Sequence, residues 1–449
     1  MVTITASYTI IPNHSTPNGR LWLCDNDHVG SPSHTATIYV YKAKHNHEVI
    51  ERMRTSLSQI LMHYYPVAGR LSWTEECGRL ELDCNAKGVI LLEAETTKTL
   101  NEYGDFSPTY PIKDLIPTVD YTQPIEELPL LLVQLTTFHG DQSLAIGVAI
   151  SHILCDGVAA IQFINSWAKL ARGDTLAPHD MPFLERTVLK FPHPTLAQRF
   201  DHPELKPQPL ILGTSDFINE QKKKTTASSL KLTSEEVEKL KKKANDQSLK
   251  DGTKPYSRYE AVAAHIWRCA SKARELDENQ PTLVRTIADI RTRLNPPLPR
   301  NYFGNGLTRT VTTTCYVGEI ISSPLSYAAK KIRESLDLLT NEYIRSQLDV
   351  IFDQEKLNFL RGFFLGQGER MIAPFFGNPN LLIVSWMSMP VYEADFGWGR
   401  AVHFGVGFLA PDDRVWIVQS PEGDGSVIVF MHFQIECMQL FEKFFYEDI

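Results

Sequence analysis

His152-Ile-Leu-Cys-Asp156-Gly157 is a stretch of this 449-residue sequence whose residue types and spacing could do chemistry. Histidine is the side chain whose ordinary pKa, about 6.5, suits proton abstraction near neutrality. The aspartate four residues on could fix the turn or orient a neighbour. A second stretch, Asp395-Phe-Gly-Trp-Gly399, lies far downstream. Five fixed residues with two glycines and a tryptophan read locally as a tight turn carrying a packed aromatic. Cys155, inside the first stretch, reads as a small buried filler.

The elements that must position these residues are legible in outline. Leu144 to Ile150 (LAIGVAI) is almost wholly apolar, the pattern of a strand buried on both faces. It runs into Asp156-Gly157 and then a helix carrying Val158, Ile161, Phe163, Ile164, Trp167, Leu170 and Ala171 before Gly173. Thr37 to Tyr41 is a β-branched and aromatic strand, and His47 to Tyr64 has apolar residues at helical spacing, ending before Pro66. From Ala177 to Phe217 the chain is rich in proline (Pro178, Pro182, Pro192, Pro194, Pro203, Pro207, Pro209), which breaks ladders and helices and reads as a crossover. Thr233-Ser-Glu-Glu236 and Ser257-Arg-Tyr-Glu260 have the spacing of capping boxes that open helices. Further strands are expected at Val311 to Val317, Leu381 to Ser385, Val415 to Gln419 and Ser426 to His432. The picture is an α/β protein with mixed sheets, divided into 1–176 carrying the histidine motif, a crossover 177–217, and 218–449 carrying the tryptophan motif.

Composition narrows the function. A length of 449 residues suits two to three domains, and 43 % hydrophobic with 22 % charged residues is ordinary for a globular protein. The net charge of −8, without a basic, aromatic-laced stripe, argues against nucleic acid as a partner. No window approaches ~18 uninterrupted apolar residues, so no membrane span is expected. The opening MVTITASYTIIPNHS lacks a basic start and an apolar run, which points to a cytoplasmic protein. Seven scattered cysteines (24, 77, 84, 155, 269, 315, 437) form no C-x-x-C pair, and fourteen histidines show no ligand spacing. Reduced thiols and no metal are expected.

The two motifs, in this order and at this separation, resemble those of the plant BAHD acyl-CoA-dependent acyltransferases. The likeness spans essentially the whole chain and includes Tyr8-Thr-Ile-Ile-Pro12, Tyr65-Pro-Val-Ala-Gly-Arg70 and Asp289-Ile-Arg291. Within the family, Tyr302-Phe-Gly-Asn305, Gly377-Asn-Pro-Asn-Leu381 and the terminal Phe-Tyr-Glu-Asp-Ile resemble the spermidine hydroxycinnamoyl transferases most. The resemblance implies two chloramphenicol-acetyltransferase-like domains flanking a solvent channel, a monomer, and acyl-CoA as a co-substrate with no permanently bound cofactor. It implies that His152 is the general base of a direct transfer, so Cys155 need not act. It implies that Asp156 pairs with Arg291 in a structural role shared with Gly157, and that Asp395, Gly397 and Trp398 are architecture. Trp386 would supply an N–H to the oxyanion, a donor whose loss typically costs ~3–4 kcal/mol. Ser257 and Arg258 would hold CoA, a helix N-terminus favouring phosphate in any case. His34, Tyr39, Val384 and Met371 would line the acceptor pocket.

The acceptor follows less directly. Shikimate-type relatives have a threonine at Val384 and an arginine at Met371, with Arg370 adjacent here. Losing both would leave a carboxylate unpaired. A polyamine instead needs an acidic approach, which the net charge favours, with Glu369, Asp353 and Glu355 as candidate grips by region. The expectation is transfer of a hydroxycinnamoyl group from CoA to a polyamine such as spermidine. The alternative is O-acylation of shikimate, quinate or another alcohol. A catalytically silent relative and a peptide-synthetase condensation domain are the readings set aside.

Overall fold

The computed structural model describes residues 2–43, 47–74, 78–108, 110–140, 142–191, 200–246, 254–365, 375, 377–407 and 413–449. Two six-stranded mixed sheets dominate it. Their strands, in chain order, are β1 (Thr3–Ile10), β2 (His34–Tyr41), β3 (Val89–Thr96), β4 (Leu131–Phe138), β5 (Ser143–Ser151), β6 (Thr225–Leu232), β7 (Val284–Asp289), β8 (Leu307–Val311), β9 (Leu381–Trp386), β10 (His403–Val406), β11 (Arg414–Gln419) and β12 (Val427–Gln434). The first sheet runs β1-β3-β4-β5-β2-β10 and the second β8-β7-β9-β11-β12-β6. Each mixes parallel neighbours (β3 with β4; β7, β9 and β11) with antiparallel ones. The principal helices are α1 (His47–His63), α2 (Gly157–Ala171), α3 (Ser234–Asn245), α4 (Arg258–Ala273), α5 (Leu325–Asp337), α6 (Asn341–Val350) and α7 (Ile435–Glu447). No helix among the described residues is long and apolar enough to cross a membrane.

Local sequence explains the placements. β4 and β5 are buried along their whole length, as central strands covered on both faces must be. On α2 the buried residues Ala160, Phe163, Ile164, Trp167, Ala168 and Ala171 recur at three- and four-residue steps and form one stripe. That stripe packs beside α1, where the Trp167 indole donates to Ser56 Oγ at 3.0 Å. In the second half α4 is buried almost all round, because α3, α5 and α7 enclose it against the sheet. Side chains of the second sheet alternate. Val284, Leu381, Ile383, Val415 and Ile417 join the core under the helices, whereas Trp386, Val418, Ile428 and Phe430 join the core of the first half. The two halves therefore meet across the inner face of the second sheet.

One expectation needs correction. The strand read at Val311 to Val317 is not continuous: β8 ends at Val311, a two-residue strand covers Cys315–Tyr316, and Val317 opens a helix. A run of β-branched residues carries strand propensity, but tertiary pairing decides where the ladder stops. The strand division also crosses the chain division, since β10, from the C-terminal stretch 218–449, pairs antiparallel with β2 in the first sheet. Between 177 and 217 the described residues hold short 3-10 turns and no sheet strand, as the prolines require.

The Asp395–Gly399 turn explains how β10 reaches its place. Asp395 Oδ1 accepts the backbone N–H groups of Gly397 (2.8 Å), Trp398 (3.0 Å) and Gly399 (2.8 Å). Gly397 and Gly399 sit at φ +96° and +81°, where a side chain is strained. Phe396 is fully buried edge-on to Trp167 of α2, and Trp398 lies under Arg52 of α1 and against Tyr41 of β2. Arg172, at the end of α2, donates to the Asp395 carbonyl, and Tyr41 Oη donates to that of Ala394 at 2.5 Å. The motif is a clasp that fastens the C-terminal chain to α1, α2 and β2 and lays β10 on an edge that would otherwise stand open. Replacing Asp395 by Ala removes one charged acceptor from three donors and is expected to cost about 2–3 kcal/mol. A urea titration reads this as a lowered midpoint, with turnover per folded molecule retained.

Candidate active site

β5 delivers its last residue, Ser151, opposite His34 of β2, and the chain then turns through His152 to Asp156 into α2. Asp156 is the N-cap of α2, its Oδ1 accepting from Ala159 N at 2.9 Å. The same carboxylate takes a bidentate ion pair from Arg291, Nη1 to Oδ2 at 2.9 Å and Nη2 to Oδ1 at 3.0 Å. Gly306 N adds a third kind of donor at 2.8 Å. Asp156 is 1 % exposed and spends its acceptor sites on structure, with none turned to the imidazole. Arg291 is raised above its ordinary range, the cost of its burial being outweighed by Asp156.

His152 keeps part of its surface accessible, while its Nδ1 is buried against Gly30 with no hydrogen-bond partner among the described residues. The nitrogen able to meet a substrate is thus Nε2. Burial lowers the pKa of His152, its own carbonyl and Asp156 oppose this, and Arg309 adds to the lowering. A neutral imidazole with one nitrogen turned inward and the other free is the form a general base needs. Cys155, in contrast, is 2 % exposed, and burial pushes its thiol up, away from any nucleophilic role.

Trp386, the last residue of β9, comes to this turn from the second sheet. A Cβ added to Gly157 would lie 2.7 Å from the indole Cζ2 and 3.2 Å from its Nε1. This close approach is a physical reason for glycine after Asp156. Phe404 of β10 stacks on Trp386 at 5.9 Å and lies tilted against Tyr39 at 4.8 Å, so the clasped strand also backs the indole. Val384, two residues before Trp386, shares its face of β9 and is partly buried.

Other expected site residues are dispersed. His34 and Tyr39 are five apart on β2 and so point to opposite faces; they cannot line one pocket wall together. His34 is tied to Tyr121 Oη through Nδ1 (2.8 Å) and to the Pro129 carbonyl through Nε2 (2.8 Å), and burial pushes it down to about 4. Tyr39 is wholly buried, its hydroxyl without a hydrogen-bond partner among the described residues. Ser257 caps α4, its Oγ accepting from Glu260 N at 3.3 Å, and Arg258 donates to the Gly425 carbonyl, so both side chains serve the fold in this state. Asp353 and Glu355 begin α-helical chain near Phe352, and Met371, Glu369 and Arg370 lie outside the described residues. Among the described residues no group of three His, Cys, Asp or Glu could hold a metal ion.

Sequence reasoning passed over four residues near the base. Asn305 Nδ2 donates to the His152 carbonyl at 2.8 Å, and Asp27 and Arg186 adjoin it. Tyr302-Phe-Gly-Asn305 was visible as a likeness without a role, and Asp27 and Arg186 carry no local signal at all. Arg309 of β8 shares the inner face of the second sheet with Arg285, through the pairs Arg285–Val311 and Ile287–Arg309. Its guanidinium donates to the Val29 carbonyl, and burial pushes it down to about 10. A lone arginine in the alternating Leu-Thr-Arg-Thr-Val was the available signal.

Two mixed sheets meeting at a partly accessible histidine, with an indole supplied from the facing sheet, define a two-lobed transferase. The model of the Transferase family matches residues 1–448. The chain is 41 % identical over 455 residues to hydroxycinnamoyl-CoA:piscidic acid hydroxycinnamoyltransferase of Actaea racemosa, covering 100 % of both chains. It is 38 % identical to shikimate O-hydroxycinnamoyltransferase of Nicotiana tabacum, covering 99 % of each. It is 36 % identical to a hydroxycinnamoyl-CoA:5-hydroxyanthranilate N-hydroxycinnamoyltransferase of Avena sativa, covering 99 % of each. A solved structure of Fusarium graminearum TRI101 with coenzyme A and T-2 mycotoxin shares the fold at a TM-score of 0.73 and 17 % identity, covering 94 % of this chain and 96 % of that one. The chain belongs to the plant BAHD acyltransferases and is an acyltransferase enzyme.

Two outcomes follow. In an NMR titration the His152 ring, assigned by its absence in His152→Ala, is expected to protonate with a midpoint below 6.5, since burial disfavours the cation. Asp156→Asn leaves Arg291 buried opposite a neutral amide and is expected to destabilise the protein by about 3–5 kcal/mol, read by denaturant unfolding.

Proposed function

We propose that this enzyme moves a hydroxycinnamoyl group from its CoA thioester onto a small acceptor, with His152 as general base. The observation that carries the reading is His152 itself: a neutral ring, Nδ1 turned into the protein, Nε2 left to a substrate. In the proposed step Nε2 takes the proton of the acceptor amine or hydroxyl as that atom bonds to the thioester carbonyl carbon. The oxyanion so formed accepts from the Trp386 indole N–H. Collapse breaks the carbon–sulfur bond, and the CoA thiolate takes the proton from the imidazolium. Water must be kept out, because it would compete as acceptor. We place acyl-CoA and acceptor in a channel between the halves, with CoA phosphates toward the N-terminus of α4 at Ser257 and Arg258. We take the chain as a cytoplasmic monomer in units 1–176, 177–217 and 218–449.

For the acceptor, the proposed class is a polyamine such as spermidine, N-acylated. The likeness of Tyr302–Asn305, Gly377–Leu381 and the C-terminus supports it, and the net charge of −8 steers a polycation inward. Each ammonium, with a pKa of about 10, must shed one proton before attack, which a desolvated site promotes. Arg309 favours a second reading. It is a half-buried cation for which no ion pair is formed among the described residues, its Coulombic influence reaching His152. A carboxylate would complement it. Relatives named for piscidic acid, shikimate and 5-hydroxyanthranilate support an acceptor bearing that group.

The test is a competition assay by mass spectrometry with p-coumaroyl-CoA, spermidine and shikimate. Acylated spermidine is the expected product. Acylated shikimate would overturn the polyamine assignment and favour the second reading. His152→Ala is expected to lose about 10²–10⁴-fold in turnover while folding normally. Wild-type turnover in that variant would remove the mechanism.

A further inference from the structure

Among the described residues no carboxylate bonds the His152 ring, so the main chain that bears it must carry much of its orientation. The polar groups of that main chain are bound by segments remote in sequence. Asn305 Nδ2 donates to His152 O at 2.8 Å and lies 3.4 Å from Ile153 O. Arg186 Nη2 donates to Leu154 O at 2.6 Å. Asp156 N donates to Gly304 O at 3.4 Å. The successive carbonyls of 152, 153 and 154 thus face donors from the second half and the crossover.

Those donors are themselves fixed by one buried carboxylate. Asp27, on the helical turn Asp25–His28, is fully buried. Its Oδ1 accepts from Asn305 Nδ2 at 2.9 Å and from Asn305 N at 3.1 Å. Its Oδ2 accepts from Cys24 N at 2.9 Å and lies 2.9 Å from Arg186 Nη1. Burial would raise this carboxyl, but Arg186 and the amide donors outweigh it and hold it below its ordinary range. The main chain of Asn305 is held as well, since Asn26 Nδ2 donates to its backbone carbonyl at 2.8 Å. With its backbone N–H and carbonyl both bound and its amide nitrogen tied to Asp27, Asn305 is held so that Nδ2 also reaches the histidine carbonyl.

We infer that Asp27, Asn305 and Arg186 are positioning residues for the catalytic base. Asp27 aligns Asn305 and Arg186, these hold the carbonyls of residues 152–154, and the held backbone sets the imidazole with Nε2 outward. The arrangement differs from a catalytic triad, in which the carboxylate bonds the imidazole itself. Here it acts one step back, through the main chain. Its parts lie on the N-terminal segment, the crossover and the second half, so the base is aligned only when the halves are docked.

The inference rests on His152 being the base, and the experiment separates the two. Asn305→Ala, Arg186→Lys and His152→Ala are assayed with p-coumaroyl-CoA and whichever of spermidine or shikimate the wild type acylates, and melting temperatures are recorded alongside. A misaligned base loses rate without losing binding, so Asn305→Ala is expected to lower kcat about 10²-fold with KM for both substrates little changed. Arg186→Lys keeps the charge toward Asp27 but not the planar fork that reaches Leu154 O, and a smaller kcat loss of the same kind is expected. A folded Asn305→Ala with wild-type kcat, or a loss confined to KM, would overturn the inference. Should Asn305→Ala not fold, Arg186→Lys decides in the same way, wild-type kcat overturning it. If His152→Ala is inactive while both positioning variants keep full kcat, the inference fails and the base stands. If His152→Ala retains turnover, the base itself is wrong.

Discussion

Asp156 and Arg291 form an ion pair from which water is excluded, and three separate parts of the molecule end on it. The carboxylate caps α2, binds the backbone of Gly306, and receives both arms of a guanidinium that belongs to the second half. Taking two such charges out of water is costly, and only full satisfaction of their hydrogen-bonding sites offsets the cost. The His152 turn inherits its geometry from this arrangement, since the carboxylate closes the turn and starts the helix whose first residue meets Trp386. A charge pair at the joint between two halves thereby fixes the relative placement of a base from one and an indole from the other.

The outline of this arrangement was legible in the sequence because its parts are local. A continuous apolar run made β5, capping boxes opened α3 and α4, and prolines marked the crossover. The Asp156–Arg291 pair came from family likeness, since nothing in the spacing of the two residues announces it. What stayed hidden is what depends on tertiary pairing. The short β10 has no signal of its own, and its place in the first sheet follows from the clasp before it. His34 and Tyr39 were assigned to one pocket by likeness, whereas strand parity separates them. Asp27, Arg186 and Asn305 assemble from positions up to 278 residues apart, so no window of sequence could reveal them.

Electrostatic averages are equally uninformative about the inner wall. The chain carries an excess of eight negative charges, yet the face of the second sheet turned toward the first half holds Arg285 and Arg309. Burial lowers the pKa of both to about 10, with Arg309 adding to the effect on Arg285, and both remain cations at neutral pH. Long-range attraction of a substrate and its recognition at the base are thus set by different charges, and the two can favour different chemistries.

The strand lent by the C-terminal stretch has a consequence for synthesis on the ribosome. Chains emerge N-terminus first, and the early part of a protein ordinarily folds as it appears. Here β2 must wait for residues 403–406 before its outer edge is paired. Throughout most of translation the nascent first sheet therefore exposes the backbone groups of β2 to any other strand nearby. Arrival of Asp395–Gly399 closes that edge, which makes the end of the chain the point at which the beginning becomes safe from misassociation.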